Sequence, residues 1–459
     1  MAAAARRAWQ ATDIQALLAE GLAVSVDAPI RAAASTDFGG IVRGQSLAVF
    51  TPRTPEELRR AVIFARERGL SFTARGDGRS SGGQSVARTG VTLQLSRLDR
   101  IQAVDATACT ITCESGARWR SVLAATQPHG LVPQVLPLNL DLTVGGTLSV
   151  GGFGSNSHAF GFAASSVESM HAVSGAGAML SSSQQPELLS ATLGGLGRCA
   201  VMTSITLRLR RAPPRVKTFY LLYDDVEPWL ADMRNFRDRF QHMDGFCSAS
   251  VQGMRNTPVG RRPFAKWFYG LHVSVEHDGA PPSSHEALAG LNQRWIAHEE
   301  DNDQASFAAR ADPRFEMMMQ TGAFSQPHPW LECLMPMAVL PELLPRVLEA
   351  LPLALADGLR LAPLVTAQHP PFIAVPETPE NAMFAVLPLA VQPQALPNVL
   401  EALRAVNELL LSAGGKRYLA GWLEMDEDAW RRHYESAYDT WVIAKQRLDP
   451  DGVFGSMLT

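Results

Sequence analysis

Residues 73 to 85 read TARGDGRSSGGQS, four glycines and three serines in thirteen positions. Glycine inside a regular element costs about 0.5–1 kcal/mol relative to alanine, so a cluster this dense marks a sharp turn or a place where something must approach the main chain. Two later stretches repeat the theme: DLTVGGTLSVGGFGSNSHAFGF at 141–162 and LGGLGRCAVMTSITLRL at 193–209. Backbone N–H groups in tight turns form concave nests that bind anions such as a pyrophosphate. Each loop alone also fits a plain turn between strands. Neither common nucleotide fingerprint is present in the first loop. GxxxxGK[ST] is absent, and the β-like VTLQL follows where a GxGxxG would open a helix.

The flanks give the loop a context. LAVF is a short β run. Thr54 then stands as a helix N-cap, with Pro55 at the first helical position and Glu57 three residues after the cap. The helix runs through RRAVIFARERG to Gly69, and LSFTA is a second β run that delivers the loop. This is a strand–helix–strand unit. Alternation in 91–114 predicts strands. WRSVLAATQPHGL predicts a helix ending at Gly130, SVESMHAVSGAGAML a strand–turn–strand, and 188–213 a short helix, a glycine loop and a long strand. A boundary is expected near Pro213–Pro214. Beyond it, TFYLLYDDVEPWLADMRNFRDRF opens a new series of strands and helices reaching about residue 424, and DEDAWRRHYESAYDTWVIAKQRLDP reads as one closing helix.

Composition narrows the class. With 459 residues there is room for two or three domains, and 46% hydrophobic with 19% charged residues is the balance of an ordinary globular chain. A net charge of −4 argues against nucleic acid as the main partner. No apolar run approaches the ~20 residues that span a bilayer. The start, MAAAARRAWQATD, has two arginines but no apolar stretch after them, so it does not read as a secretory signal and a cytoplasmic protein is expected. The five cysteines are scattered with no CxxC, which points to buried free thiols rather than to a metal site or a disulfide framework.

Taken in order and spacing, ARGDGRSSGGQS, LTVGGTLSVGG and LGGLGRCAVMTSITLRL resemble the PCMH-type FAD-binding domain of the vanillyl-alcohol oxidase superfamily. Within it the sequence is most similar to the cytokinin dehydrogenase-like and berberine-bridge-like FAD-linked oxidoreductases. STDFGG (35–40), PHPWLE (327–332), KRYLAGWLEMDEDAWRRHY (416–434) and KQRLDPDGVF (445–454) carry further likeness. The resemblance implies an α+β, two-domain fold: an FAD-binding domain over 1–212, a substrate domain built on an antiparallel sheet over 213–424, and a C-terminal segment, 425–459, returning to the first. It implies that Arg75, Gly76, Asp77, Gly78, Arg79 and Ser80 wrap the FAD pyrophosphate, with Gln84 and Ser85 nearby. Thr143, Gly145, Gly146, Thr147, Ser149 and Gly152 would line the ribityl chain and the flavin, and Val201 would touch the adenine side.

The sequence departs from these relatives at two places. Where many carry GxGHS, with the histidine bonded covalently to the flavin, this chain has Arg79, which cannot form that bond but can pair with phosphate through its fork of donors. No cysteine stands in the second glycine segment, so non-covalent FAD is expected. Where cytokinin dehydrogenases have an aspartate that accepts the amine proton, alignment through LPLNLDLTVGG places Leu138, which cannot act as a base. Asp141 lies three residues on, and a strand period of 2 would turn it to the opposite face. It remains a candidate base, or a turn or surface carboxylate. His158 in GSNSHAFGF is a candidate proton acceptor or a structural histidine. Glu332 after PHPWL is a candidate base or an outward-facing strand residue, and His369 in TAQHPPF a lesser one. Trp330, Phe372 and Phe384 read as cavity wall or core. Tyr418 and Trp422 read as flavin-edge shields or core.

The expected activity is therefore hydride removal by FAD from a small-molecule C–H next to nitrogen or oxygen, with oxygen or a quinone-like compound accepting the electrons. Gly151 and Gly154 would leave space for oxygen beside the ring. The Ala- and Arg-rich, Lys-poor composition suggests a high-GC bacterial source, and the missing aspartate suits a tailoring step in natural-product biosynthesis. A monomer or homodimer is expected. The alternative is a flavin scaffold that binds a ligand or promotes a non-redox cyclisation.

Overall fold

The computed structural model describes residues 6–258 and 260–455. The strand–helix–strand unit forms as its sequence dictates. Strand Gln45–Phe50 leads to helix Pro55–Glu67, whose first turn is closed by Thr54 Oγ1 accepting the Glu57 N–H at 3.1 Å. Leu58, Ala61, Val62 and Ala65, spaced three to four apart, face inward and lay the helix on its sheet. Strand Phe72–Arg75 follows. Strand Thr89–Gln94 inserts between the two, parallel to both. The first glycine loop thus springs from the end of an edge strand.

A second sheet, six-stranded and antiparallel, is organised around the long strand Ala200–Arg211. Its core holds Trp119, Val144, Phe162 and Met202, and the chain's end packs into that same core through Trp430, Tyr434, Tyr438 and Trp441. The expected single closing helix is in fact two, Glu427–Tyr434 and Ala437–Leu448. They break at Glu435, whose φ of 48° no helix can continue. The second glycine segment is also not extended: residues 134–142 form no strand, and Thr143 caps the short helix Val144–Leu148. The two-residue period used to orient Asp141 therefore does not apply there.

After Pro213–Pro214 the chain enters an eight-stranded sheet in which every pair is antiparallel. One face carries Leu221, Cys247, Leu271, Leu361, Phe384 and Cys333 against residues of helices Val226–Asn235, Leu340–Ala350 and Leu396–Ser412. Alternation sends the intervening side chains to the other face, towards the glycine loops. The architecture is α+β with an antiparallel sheet in its second half, as expected. All five thiols are free, four of them buried. Among the described residues no helix is long and apolar enough to cross a membrane.

The last residues clip onto the strand that delivers the first loop. Val453 O accepts the Phe72 N–H at 2.7 Å. The buried Asp449 holds that tail by pairing with Lys445 Nζ at 2.5 Å and accepting the N–H groups of Val453 (2.7 Å) and Phe454 (2.9 Å). Breaking one side of a buried pair leaves an uncompensated charge. Asp449→Ala is expected to lose about 3–5 kcal/mol of stability, read as a lower urea midpoint, with faster proteolysis of the tail.

Candidate functional site

A cavity of about 320 Å³ lies between the glycine loops and the eight-stranded sheet. All fifteen residues expected to contact a cofactor line it: eight from the first loop, six from the second, and Val201. Chain segments far apart in sequence thus converge on one space.

The first loop is open on its inner side. Its carbonyls at Gly78 and Ser80 accept the N–H groups of Phe38 (2.8 Å) and Gly39 (3.0 Å). The backbone N–H groups of residues 77–80 meet no acceptor among the described residues. Four consecutive bare donors beside a cavity, with Gly78 buried, form a concave nest suited to an anion. Two side chains brace the loop from behind. The Arg75 guanidinium donates to Thr36 O (2.8 Å) and Ala33 O (3.2 Å), and so lies under the loop rather than in the cavity. Asp37 accepts from Ser80 Oγ (2.9 Å) and Gly83 N (2.7 Å). Gly78 has φ +65°, and a β-carbon there would strike the Arg75 guanidinium.

Arg79, which replaces the covalent histidine, is partly buried over the Phe324 ring at 4.7 Å, with Nε unbonded. Asp77 is paired with Arg118 at 2.9 Å. Gln84 Nε2 donates to Leu419 O and Gly421 O, both at 2.8 Å, and fastens the loop to the chain's end. In the second segment Thr143 Oγ1 accepts from Gly146 N (3.2 Å) and Ser149 Oγ donates to Gly145 O (2.7 Å), so these side chains are spent on the turn and its backbone faces the cavity. Thr147 Oγ1 donates to Thr143 O and accepts from Trp119 Nε1. Gly145 is pressed against Ser115, whose Cβ and carbonyl oxygen lie 2.8 and 2.9 Å from where a β-carbon would stand. Ser115 Oγ, on the cavity wall, is itself buried and unbonded. Bare amides, orphaned polar atoms and glycines with no room for a side chain fit the pyrophosphate and polyol of a flavin dinucleotide.

The candidate bases separate. His158 does not line the cavity. It is buried, with Nδ1 3.1 Å from Ser155 O and Nε2 2.8 Å from Phe240 O, and burial lowers its pKa. Asp141 is half-exposed and bonded to Arg120 at 3.0 Å, which holds its carboxyl below the ordinary range. It does not line the cavity either. His369 bonds Pro370 O and stands outside. Leu138 is on the wall. Glu332 lines the cavity, and its carboxylate makes no hydrogen bond among the described residues. Burial pushes its pKa up to about 7, with the nearby Arg417 pulling the other way. Trp330 and Tyr418 also line the space, and Tyr418 Oη accepts the Gly152 N–H at 2.9 Å. Phe372, Phe384 and Trp422 are core.

Sequence reasoning missed Ser115, Asp244, Phe315 and Arg360. The one available signal was Arg360 itself, a lone charge in the apolar strand LRLAPL.

The FAD binding domain family matches residues 46–183. A protein named as an uncharacterized oxidoreductase, ORF5 in the fasciation locus of Rhodococcoides fascians, is 31% identical over 91% of this chain and 94% of its own length. Cytokinin dehydrogenase 6 of Oryza sativa subsp. japonica is 28% identical over 93% of this chain and 89% of its own, and cytokinin dehydrogenase 10 of the same plant 28% over 92% and 85%.

Forcing a left-handed non-glycine residue costs about 1–2 kcal/mol even before any collision. Gly78→Ala is therefore expected to weaken FAD binding by roughly tenfold or more. The 450 nm to 280 nm absorbance ratio of the purified variant, and its fluorescence titration with FAD, check this.

Proposed function

Since the chain belongs to the FAD-linked oxidoreductases that carry this domain and are similar to cytokinin dehydrogenases, we propose that it removes a hydride from a small-molecule carbon next to nitrogen or oxygen, with Glu332 taking the accompanying proton. The observation that carries the assignment is a carboxylate facing the cavity, without a hydrogen-bond partner, whose pKa lies at about 7. A base with that pKa is ionised near neutral pH yet still holds a proton well enough to accept one. FAD, when bound, supplies the hydride-accepting ring, and the two electrons leave to oxygen or a quinone-like acceptor.

The chain's own residues have distinct tasks in this reading. The amides of 77–80, with Arg79, hold the pyrophosphate, and the backbone of 143–152 supports the polyol and ring. Trp330, Phe315 and Leu138 exclude water from the reacting carbon. Glu332 receives the substrate N–H or O–H proton on its carboxylate oxygen. Leu138 in place of the family's aspartate favours a substrate other than the cytokinins named for the relatives. A step in bacterial specialised metabolism suits this. We also assign 1–212 to cofactor binding, 213–424 to substrate binding and 425–459 to a segment returning to the first.

FAD is held without a covalent bond in this proposal, because Arg79 offers no atom for one. Acid denaturation followed by mass spectrometry is expected to give an unmodified polypeptide; flavin mass retained on the chain refutes it. Anaerobic mixing with substrate is expected to bleach the ~450 nm band. Product formation without bleaching points instead to non-redox chemistry.

Glu332 also links activity and stability to pH. With ionised Glu332 as the base, kcat/KM rises with pH and levels off above about 7. Glu332→Gln is expected to erase that limb and lower kcat by roughly 10²–10⁴. The sign for stability is opposite. A carboxyl whose folded pKa is raised binds its proton more tightly in the native state, so its contribution is present at low pH and is lost as pH rises from the unfolded value through about 7. Glu332→Gln should thus be more stable than the parent at pH 8, by about 1–3 kcal/mol, with the gap closing by pH 4. Urea midpoints at the two pH values check it.

A further inference from the structure

The eight-stranded sheet sets Glu332 in a row with a second charged group. Glu332 pairs with Ala385, Ala385 with Arg360, and Arg360 with Phe246 across four adjacent strands. Paired positions in an antiparallel sheet project to the same face, so Glu332 and Arg360 both rise towards the cavity they line. Two strand spacings, about 10 Å, separate their backbones.

Arg360 makes no hydrogen bond and no ion pair among the described residues; its guanidinium lies over the Phe246 ring at 4.8 Å. Asp244 is its nearby opposite charge, but that carboxylate is already engaged by Arg310 at 3.2 Å, and Arg310 also donates to Ser155 Oγ at 2.9 Å. Burial first, then repulsion from Arg314 and Arg310, lowers the Arg360 pKa to about 10, which leaves it a cation at neutral pH. A guanidinium has five donors and no way to become neutral there. Withdrawing such a charge from water without a partner is expensive. A planar anion is the group that answers its fork, through two parallel charge-assisted bonds.

We propose that the substrate carries an anionic group, a carboxylate or a phosphate ester, which Arg360 binds about two strand widths from the proton-accepting Glu332. The assignment rests on the oxidoreductase reading above and adds the charge and polarity of its substrate. The anionic end lies on the strand Leu359–Leu364 and the reacting carbon towards the strand Leu331–Pro336. The Phe246 ring, under the guanidinium at 4.8 Å, supports Arg360 from the sheet side.

The test uses the full-length, FAD-loaded protein and three probes of similar shape: benzamide, benzoate and phenyl phosphate. Binding is followed by calorimetry and by the flavin difference spectrum. Benzoate or phenyl phosphate is expected to bind roughly tenfold or more tightly than neutral benzamide, as charge-assisted bonds allow. Which of the two anions leads identifies carboxylate or phosphate as the preferred group. Arg360→Met is expected to bring the three probes within about twofold of one another, and Arg360→Lys to restore part of the preference for anions. Equal binding of all probes by the parent overturns the proposal, as does a preference that survives in Arg360→Met. Loss of FAD, or a changed flavin spectrum before any probe is added, in Arg360→Met would show that the arginine serves the cofactor instead, and overturns it too. Should the methionine variant not fold, the parent and the lysine variant decide. A parent protein that takes up no FAD is a different failure, that of the oxidoreductase reading itself.

Discussion

A loop that offers bare amides to a ligand must be kept from finding partners of its own. In this chain the constraint is met from behind, by the Arg75 guanidinium spread under Gly78 and bonded to Thr36 and Ala33, and by Asp37 bonded to Ser80 and Gly83. Both braces are buried ionisable groups, and burial raises the Asp37 pKa and lowers that of Arg75. Two of the loop's carbonyls, at Gly78 and Ser80, are also taken, by the N–H groups of Phe38 and Gly39. The segments before residue 44 thus shape the site although, among the described residues there, Phe38 alone lines it.

The glycine loops were legible in the sequence because their chemistry is local. Positive φ at Gly78 and Gly152, a threonine cap at Thr143 and the small residues beside it are all written within a few positions. Thr54, Pro55 and Glu57 announced the first helix for the same reason. The errors came where register or a neighbour from elsewhere decides. The strand that a two-residue period needs around Asp141 does not form, and the partner of Asp141, Arg120, comes from a helix over twenty residues earlier. His158 stands next to the glycines in sequence, yet both ring nitrogens turn to carbonyls, one of them at Phe240. The row joining Glu332 to Arg360 depends on the alignment of four strands, which no single stretch encodes.

The cavity is electrically graded. Its glycine end is rich in donors, the amides and the orphan Nε of Arg79, beside the Ser115 hydroxyl and the Asp77 carboxylate that Arg118 pairs. Its sheet end carries Arg360, without a bonded partner among the described residues, and Glu332, whose pKa burial pushes up to about 7. Apolar residues such as Leu138, Phe315 and Met383 line the same space and keep the local dielectric low, which strengthens every charge interaction made there. The same low dielectric raises the Glu332 pKa, so a stability cost and a catalytic property have one origin.

Residues 418–422 form a seam between the two ends. Tyr418 holds Gly152, the carbonyls at 419–421 hold Gln84 and Ser81, and the amides of Tyr418 and Trp422 bond Glu332 O and Trp330 O. One short run of backbone therefore stitches the roof of the reaction chamber to its floor on the side where chemistry is assigned. Hinged opening along that side would tear several buried bonds at once. Along that side the two walls are coupled, so a change that loosens one is passed to the other.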